Sequence, residues 1–199
     1  MTSSRWELNL DREIFLAQYW QRKPLLIRNA IANFKPPVSS DELAGLSLEQ
    51  SIESRLIERC GNNWHVHHGP FLESDFVREQ PWTLLVQAMD HYIPAVAALR
   101  RLIDFIPQWR VDDVMVSYAT DGGSVGPHFD NYDVFLLQGE GERLWQLGSY
   151  CDESSPLLPH EELRILSSFE SSEEHLLQQG DILYVPPGYA HWGIARGEC

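Results

Sequence analysis

The sequence predicts a mainly β core over its second half, a sandwich or a small barrel, preceded by a first half of mixed helices and short strands. Two observations carry this. From Val111 onward, apolar runs of four or five residues (Val134-Phe135-Leu136-Leu137, Leu144-Trp145-Gln146-Leu147, Ile182-Leu183-Tyr184-Val185) are separated by Gly, Pro and Ser clusters, the mark of short strands joined by tight turns. Upstream, apolar residues recur instead at helical spacing.

Asp11 is placed to cap a helix running to about Gln21, with Phe15/Tyr19 and Leu16/Trp20 as i,i+4 neighbours. Lys23-Pro24 stops it, because a proline disfavours helical backbone before it, and Leu25-Leu26-Ile27 reads as a short buried strand. After the Pro36-Pro37 loop, Ser40-Asp41-Glu42 starts a second short helix, and Leu56–Glu58 and Trp64–His67 are strand candidates. From Trp82 to about Asp104 the spacing of Leu85, Met89, Val96, Leu99 and Ile103 predicts two helices broken at Pro94. Val111, Val114, Val116 and Tyr118 form a strand-like run, and His175-Leu176-Leu177 is a further strand. The acidic, Ser- and Pro-rich stretch from Glu153 to Glu174 is expected to be a solvated insertion.

The chain has 199 residues, enough for one ordinary core, and a formal net charge of −14. That charge argues against direct nucleic-acid binding, since Lys and Arg occur at most in pairs such as Arg100-Arg101, and it favours a basic partner. Three widely spaced cysteines (Cys60, Cys151, Cys199) with no CxxC pair argue against a disulfide framework and a thiolate zinc site. Met1–Leu10 lacks a charged segment followed by an apolar run, and no apolar stretch is long enough for a membrane span. A cytoplasmic address is the expectation.

The chemistry concentrates in Gly122-Gly123-Ser124-Val125-Gly126-Pro127-His128-Phe129-Asp130. A His-x-Asp pair on an extended segment puts both side chains on one face. A third donor, His191, follows a strand, the Pro186-Pro187-Gly188 turn and Tyr189-Ala190. Two imidazoles and one carboxylate on one face of an octahedral metal leave three positions open, which suits an Fe(II) oxygenase that takes a bidentate co-substrate and dioxygen. Arg143 starts the strand after the Gly139–Glu142 turn; aimed inward, it needs an anion, and the distal carboxylate of 2-oxoglutarate is the candidate. The alternative is a surface arginine paired with Glu140 or Glu142. His65, His67 and His68 resemble a second metal site without an identifiable third ligand, and read instead as a structural segment.

His128-Phe129-Asp130, Tyr132–Gln138, Arg143-Leu144-Trp145 and Gly180–Gly193 together resemble the JmjC-type ribosomal oxygenases. Phe15–Arg28, His68–Phe71 and Phe105–Asp113 are similar to the bacterial ribosomal protein arginine hydroxylases, so the likeness covers nearly the whole chain. The resemblance implies a double-stranded β-helix (cupin or jelly-roll, JmjC-like) core at 110–199 carrying the site, with residues 1–109 packing on it. It implies Fe(II) held by His128, Asp130 and His191, 2-oxoglutarate held by Arg143, dioxygen as co-substrate, and hydroxylation of the β-carbon of an arginine in a basic large-subunit ribosomal protein. An acidic residue facing the substrate guanidinium falls on Asp121, which also fits an ordinary turn. Family members continue beyond the second histidine through a final core strand, a dimerisation region and a winged-helix-like domain. The expectation is therefore a core truncated at its C-terminus, with homodimerisation of a full-length protein through a region absent here. A metal cupin without oxygenase activity, a non-catalytic cupin that binds a basic partner, and a hydroxylase of another residue such as histidine are the rival readings.

Overall fold

The computed structural model describes residues 6–199, so part of the opening stretch read for a leader, residues 1–5, lies outside the described residues. Among the described residues, ten strands, all paired antiparallel, form three sheets. β1 (Leu25–Ile27), β9 (Ile182–Val185) and β6 (Val134–Leu137) make the first, in the order β1-β9-β6. β10 (Tyr189–Arg196), β7 (Glu142–Tyr150) and β8 (Glu173–Leu177) make the second, with β7 central. The third runs β3 (Asn63–His68), β2 (Ser54–Cys60), β4 (Trp82–Val86) and β5 (Val116–Ala119). Residues 6–109 thus hydrogen-bond into two of the three sheets, through β1 in the first and β2 to β4 in the third.

The first two sheets enclose a shared core: Trp145, Leu147 and Leu177 from one meet Leu183, Val185, Leu26 and Leu136 from the other. β9 is buried along its whole length because its other face is covered too. Helix α1 (Arg12–Gln18) lies there, capped by Asp11, whose carboxylate accepts the Ile14 amide. α1 presents Phe15, fully buried, edge-on to Tyr184 at 4.8 Å and beside Phe135 and Phe105. Trp20 stacks over Tyr184 and Phe135, whereas Leu16, its expected helical neighbour, is exposed. α2 (Ser40–Ser47) has the expected acidic start, completed by a reciprocal cap between Ser39 and Glu42.

Two sequence expectations are corrected. Trp82–Val86 is a strand, not a helix: it pairs with β2 and β5 and is buried on both faces, so it shows no alternation, and the Leu85/Met89 spacing that mimics a helix straddles a strand end. The helical turns begin only at α3 (Met89–Tyr92) and α4 (Pro94–Ala97); the expected break falls at Pro94, where Ile93 is extended and the proline opens α4. The 153–174 insertion is only partly solvated. Ile165 and Leu166 are buried, Ile165 against Ile57, Trp64 and Leu85, and Leu166 beside Phe129 and Ala190. Its last residues already belong to β8.

Asp181 locks the turn before β9. Its buried carboxylate accepts from the amides of Asn29 and Gln178 and from the Arg28 guanidinium at 2.7 Å. Burial alone raises its pKa, but these three partners outweigh it and hold the carboxyl below its ordinary range. A depressed folded pKa gives stability that is complete above the unfolded value and is lost as pH falls through the folded one. Asp181→Ala removes the acceptor shared by the Asn29 and Gln178 amides and Arg28, so we expect it to lower the unfolding free energy by about 1–3 kcal/mol near neutral pH, measured by urea titration, with the deficit shrinking in acid.

Candidate metal centre

The sequence-predicted trio converges. Among the described residues, His128, Asp130 and His191 form a group whose donor atoms all lie within 4.8 Å of one another. Asp130 Oδ2 is 3.5 Å from His191 Nε2 and 3.9 Å from His128 Nε2, and the imidazole centroids are 4.3 Å apart.

Backbone pairing produces this convergence. His128 and His191 face one another across an antiparallel bridge, His128 N donating to His191 O at 3.0 Å and His191 N to His128 O at 2.8 Å. Non-neighbouring chain segments are thereby fixed with the two side chains adjacent. Asp130, two residues on, returns to the same face, and its carbonyl accepts the Gly188 amide from the Pro-Pro-Gly turn at 2.8 Å. On β10 the register slips between Tyr189 and His191, which oppose Tyr150 and Leu147. That bulge turns His191 inward against Trp145, centroid to centroid 5.7 Å.

Both imidazoles are held in the form a metal requires. His128 Nδ1 lies 2.9 Å from the Gly126 carbonyl and His191 Nδ1 3.0 Å from the Tyr189 carbonyl. A carbonyl only accepts, so each Nδ1 carries the proton and each Nε2 keeps a lone pair directed at the common point. Burial pulls the His191 pKa down from 6.5 to about 3, and the neighbouring His128 adds to the shift. Burial pushes the Asp130 carboxyl up, against the pull of His128. Two neutral Nε2 donors and one carboxylate oxygen fit a divalent cation on one face, and such a cation reverses the cost of keeping Asp130 ionised.

Arg143 on β7 opposes Ala195 of β10 in the register that puts Trp145 opposite Gly193 and Leu147 opposite His191. It therefore projects from the same inner face as His191, half-buried. Its Nη1 donates to Ser117 Oγ at 3.3 Å, and Nε and Nη2 approach Cys199 Sγ. Among the described residues no carboxylate pairs with it; Glu142 instead accepts from Gln178. Asp121 sits in the Thr120–Gly123 turn, exposed, and one of its oxygens accepts the Gly197 amide at 2.8 Å. It is tied to the end of β10 rather than to the trio. His67 and His68 turn to Glu58 and Glu162, so the HxH segment joins no metal group among the described residues. Sequence reasoning did not assign Ser117 or the two carbonyl acceptors. The glycine two residues before His128 was the one available signal, since a left-handed Gly126 (φ +85°) turns its carbonyl back onto the ring.

Residues 98–199 match the JmjC domain family. The chain belongs to that family. It is 43% identical over 190 residues to the ribosomal protein uL16 3-hydroxylase of Escherichia coli strain K12, covering 96% of this chain and 51% of that protein. An X-ray structure of E. coli YcfD superposes with a TM-score of 0.92 at 42% identity, covering 98% of this chain and 52% of that one. A structure of the same ribosomal oxygenase with cobalt and 2-oxoglutarate gives 0.86 at 41% identity, over 97% and 50%. The chain spans about half the length of these relatives. The mainly β JmjC cupin fold expected from the sequence is the fold observed.

The depressed His191 pKa has a consequence for the metal-free protein. The unfolded chain binds more protons than the folded one between about 3 and 6.5, so this stability is complete above 6.5 and is lost as pH falls towards 3. Unfolding of EDTA-treated protein in urea at a series of pH values is expected to show that slope, flattened in His191→Gln.

Proposed function

We propose that this chain is the catalytic part of an Fe(II)- and 2-oxoglutarate-dependent dioxygenase that hydroxylates a ribosomal protein, on the β-carbon of an arginine. The observation that carries the reading is the convergence of two imidazole Nε2 atoms and one carboxylate oxygen on one point, with both imidazoles fixed as Nε2 donors. Support comes from the similar uL16 3-hydroxylase, whose name puts the hydroxyl on position 3, and from the cobalt and 2-oxoglutarate complex of YcfD. The net charge of −14 favours a basic substrate of the kind ribosomal proteins provide.

Fe(II), when bound, supplies the dioxygen chemistry, in which 2-oxoglutarate is oxidised to succinate and carbon dioxide while the substrate C–H becomes C–OH. The chain's own residues do the rest. His128, Asp130 and His191 hold the cation on one face and leave the opposite face for the co-substrate and dioxygen. Arg143, inward-facing and without an acidic partner among the described residues, takes the distal carboxylate of 2-oxoglutarate as its counter-ion. Trp145 packs beside His191 and keeps water from that side of the ring. Asp121 offers its second carboxylate oxygen, the one not bonded to Gly197, to a substrate guanidinium.

Incubation with Fe(II), 2-oxoglutarate, oxygen and purified ribosomal proteins, followed by peptide mass spectrometry, tests the reading. A one-oxygen gain on an arginine, with succinate released in equal amount, is the expected result; succinate without a modified ribosomal protein removes the substrate assignment. His128→Ala is expected to abolish turnover. Arg143→Ala should weaken 2-oxoglutarate binding by about 1.5–3 kcal/mol, roughly ten- to hundredfold, and an unchanged affinity would remove its role.

A further inference from the structure

On β10, His191 and Trp192 are consecutive and in register, so they project to opposite faces of the strand. The Trp192 ring stands edge-on to Phe169 at 5.8 Å, and its indole Nε1–H donates to Ser124 Oγ at 2.8 Å. The same oxygen accepts the Gly126 amide at 3.0 Å. A serine oxygen has two lone pairs, and both are used here. The Gly126 carbonyl in turn accepts the His128 Nδ1–H.

We propose that Ser124 is a positioning residue for the metal centre, joined to Trp192 as a clasp that holds the His128 imidazole in the Nδ1–H form. The inner bridge between His128 and His191 fixes where the two rings stand. It does not fix which nitrogen of His128 carries the proton; the direction of the Gly126 carbonyl does. Glycine has the widest backbone freedom of any residue, and Gly126 is held at φ +85°. Its amide bond to Ser124 Oγ closes the short turn that aims the carbonyl at the ring. A Cβ at this position would meet Ile165 and Trp64 at 3.2 Å and would be strained at this left-handed φ, so a stiffer residue is a poor substitute for the clasp. Without the serine oxygen the carbonyl is free to swing away. The Nε2–H tautomer then competes, and a protonated Nε2 cannot bind a metal. Trp192 ties this turn to the strand that carries His191, so one oxygen atom couples the two histidine-bearing segments from outside the wall.

The metal part of this inference rests on the function proposed above, but the tautomer does not, and the experiment separates them. Long-range 1H–15N spectra of the imidazoles in the metal-free chain report the His128 tautomer, and calorimetry with Co(II) reports the affinity of the centre. Wild type is expected to show the Nδ1–H pattern. Ser124→Ala is expected to show averaging between tautomers and a dissociation constant raised about tenfold, with both restored in Ser124→Thr. Trp192→Phe keeps the ring on Phe169 but loses the donor, and should move both signals in the same direction. A folded Ser124→Ala with the wild-type 15N pattern overturns the clasp. If that variant does not fold, an unchanged pattern in Trp192→Phe overturns it instead. A wild type that shows no Co(II) affinity while Ser124→Ala still shifts the tautomer removes the metal centre and leaves the clasp standing.

Discussion

Two imidazoles held 4.3 Å apart, one of them buried to the exclusion of water, are the constraint around which this half of the molecule is organised. Burial first, and the neighbouring His128 second, keep His191 neutral, and the fold directs both Nε2 lone pairs at one point. The reciprocal backbone bridge between His128 and His191 does the placing, and carbonyls two residues before each ring do the orienting. The same i−2 arrangement at both histidines leaves the two donors matched, with Asp130 between them to complete the face.

The rest of the structure supports that bridge from several directions. The bulge on β10 turns His191 towards Trp145, and the Pro-Pro-Gly turn ties back to the carbonyl of Asp130. Beyond the trio, Ala195 pairs with Gly122 and Gly123, and Cys199, past the end of β10, with Ala119, so β10 and the residues after it are tied to the start of the segment that leads from β5 to His128. Gly123 is needed there, because a Cβ would lie 2.4 Å from the Trp82 carbonyl. The first sheet, wedged between α1 and the inner core through Phe15, Tyr184 and Leu183, packs behind Trp145, which lies against His191. Its start is fixed by Asp181.

Much of this was legible in the sequence because the signals are local. Asp11 and Ser40-Asp41-Glu42 mark helix starts through capping chemistry, and the apolar runs at 134–137 and 182–185 mark strands buried on at least one side. The trio was legible because His-x-Asp and a histidine after a strand and turn are patterns of one face. What failed to show depends on long-range packing. Trp82–Val86 lies between β2 and β5, so burial on both faces erases its period. Ile165 and Leu166 look like isolated apolar residues in an acidic loop until Trp64 and Phe129 are seen beneath them. The register slip that aims His191, and Ser117 beside Arg143, depend on strand pairing that no local pattern encodes.

Where a cation binds decides the role of the His128–Asp130–His191 trio. Crystals of the chain grown with Co(II), with anomalous diffraction collected at the cobalt edge, locate the ion directly. The prediction is a single ion bound by Nε2 of His128, Nε2 of His191 and one carboxylate oxygen of Asp130, with its remaining positions free of protein atoms. An ion placed elsewhere, or a fourth protein donor closing the coordination sphere, contradicts it.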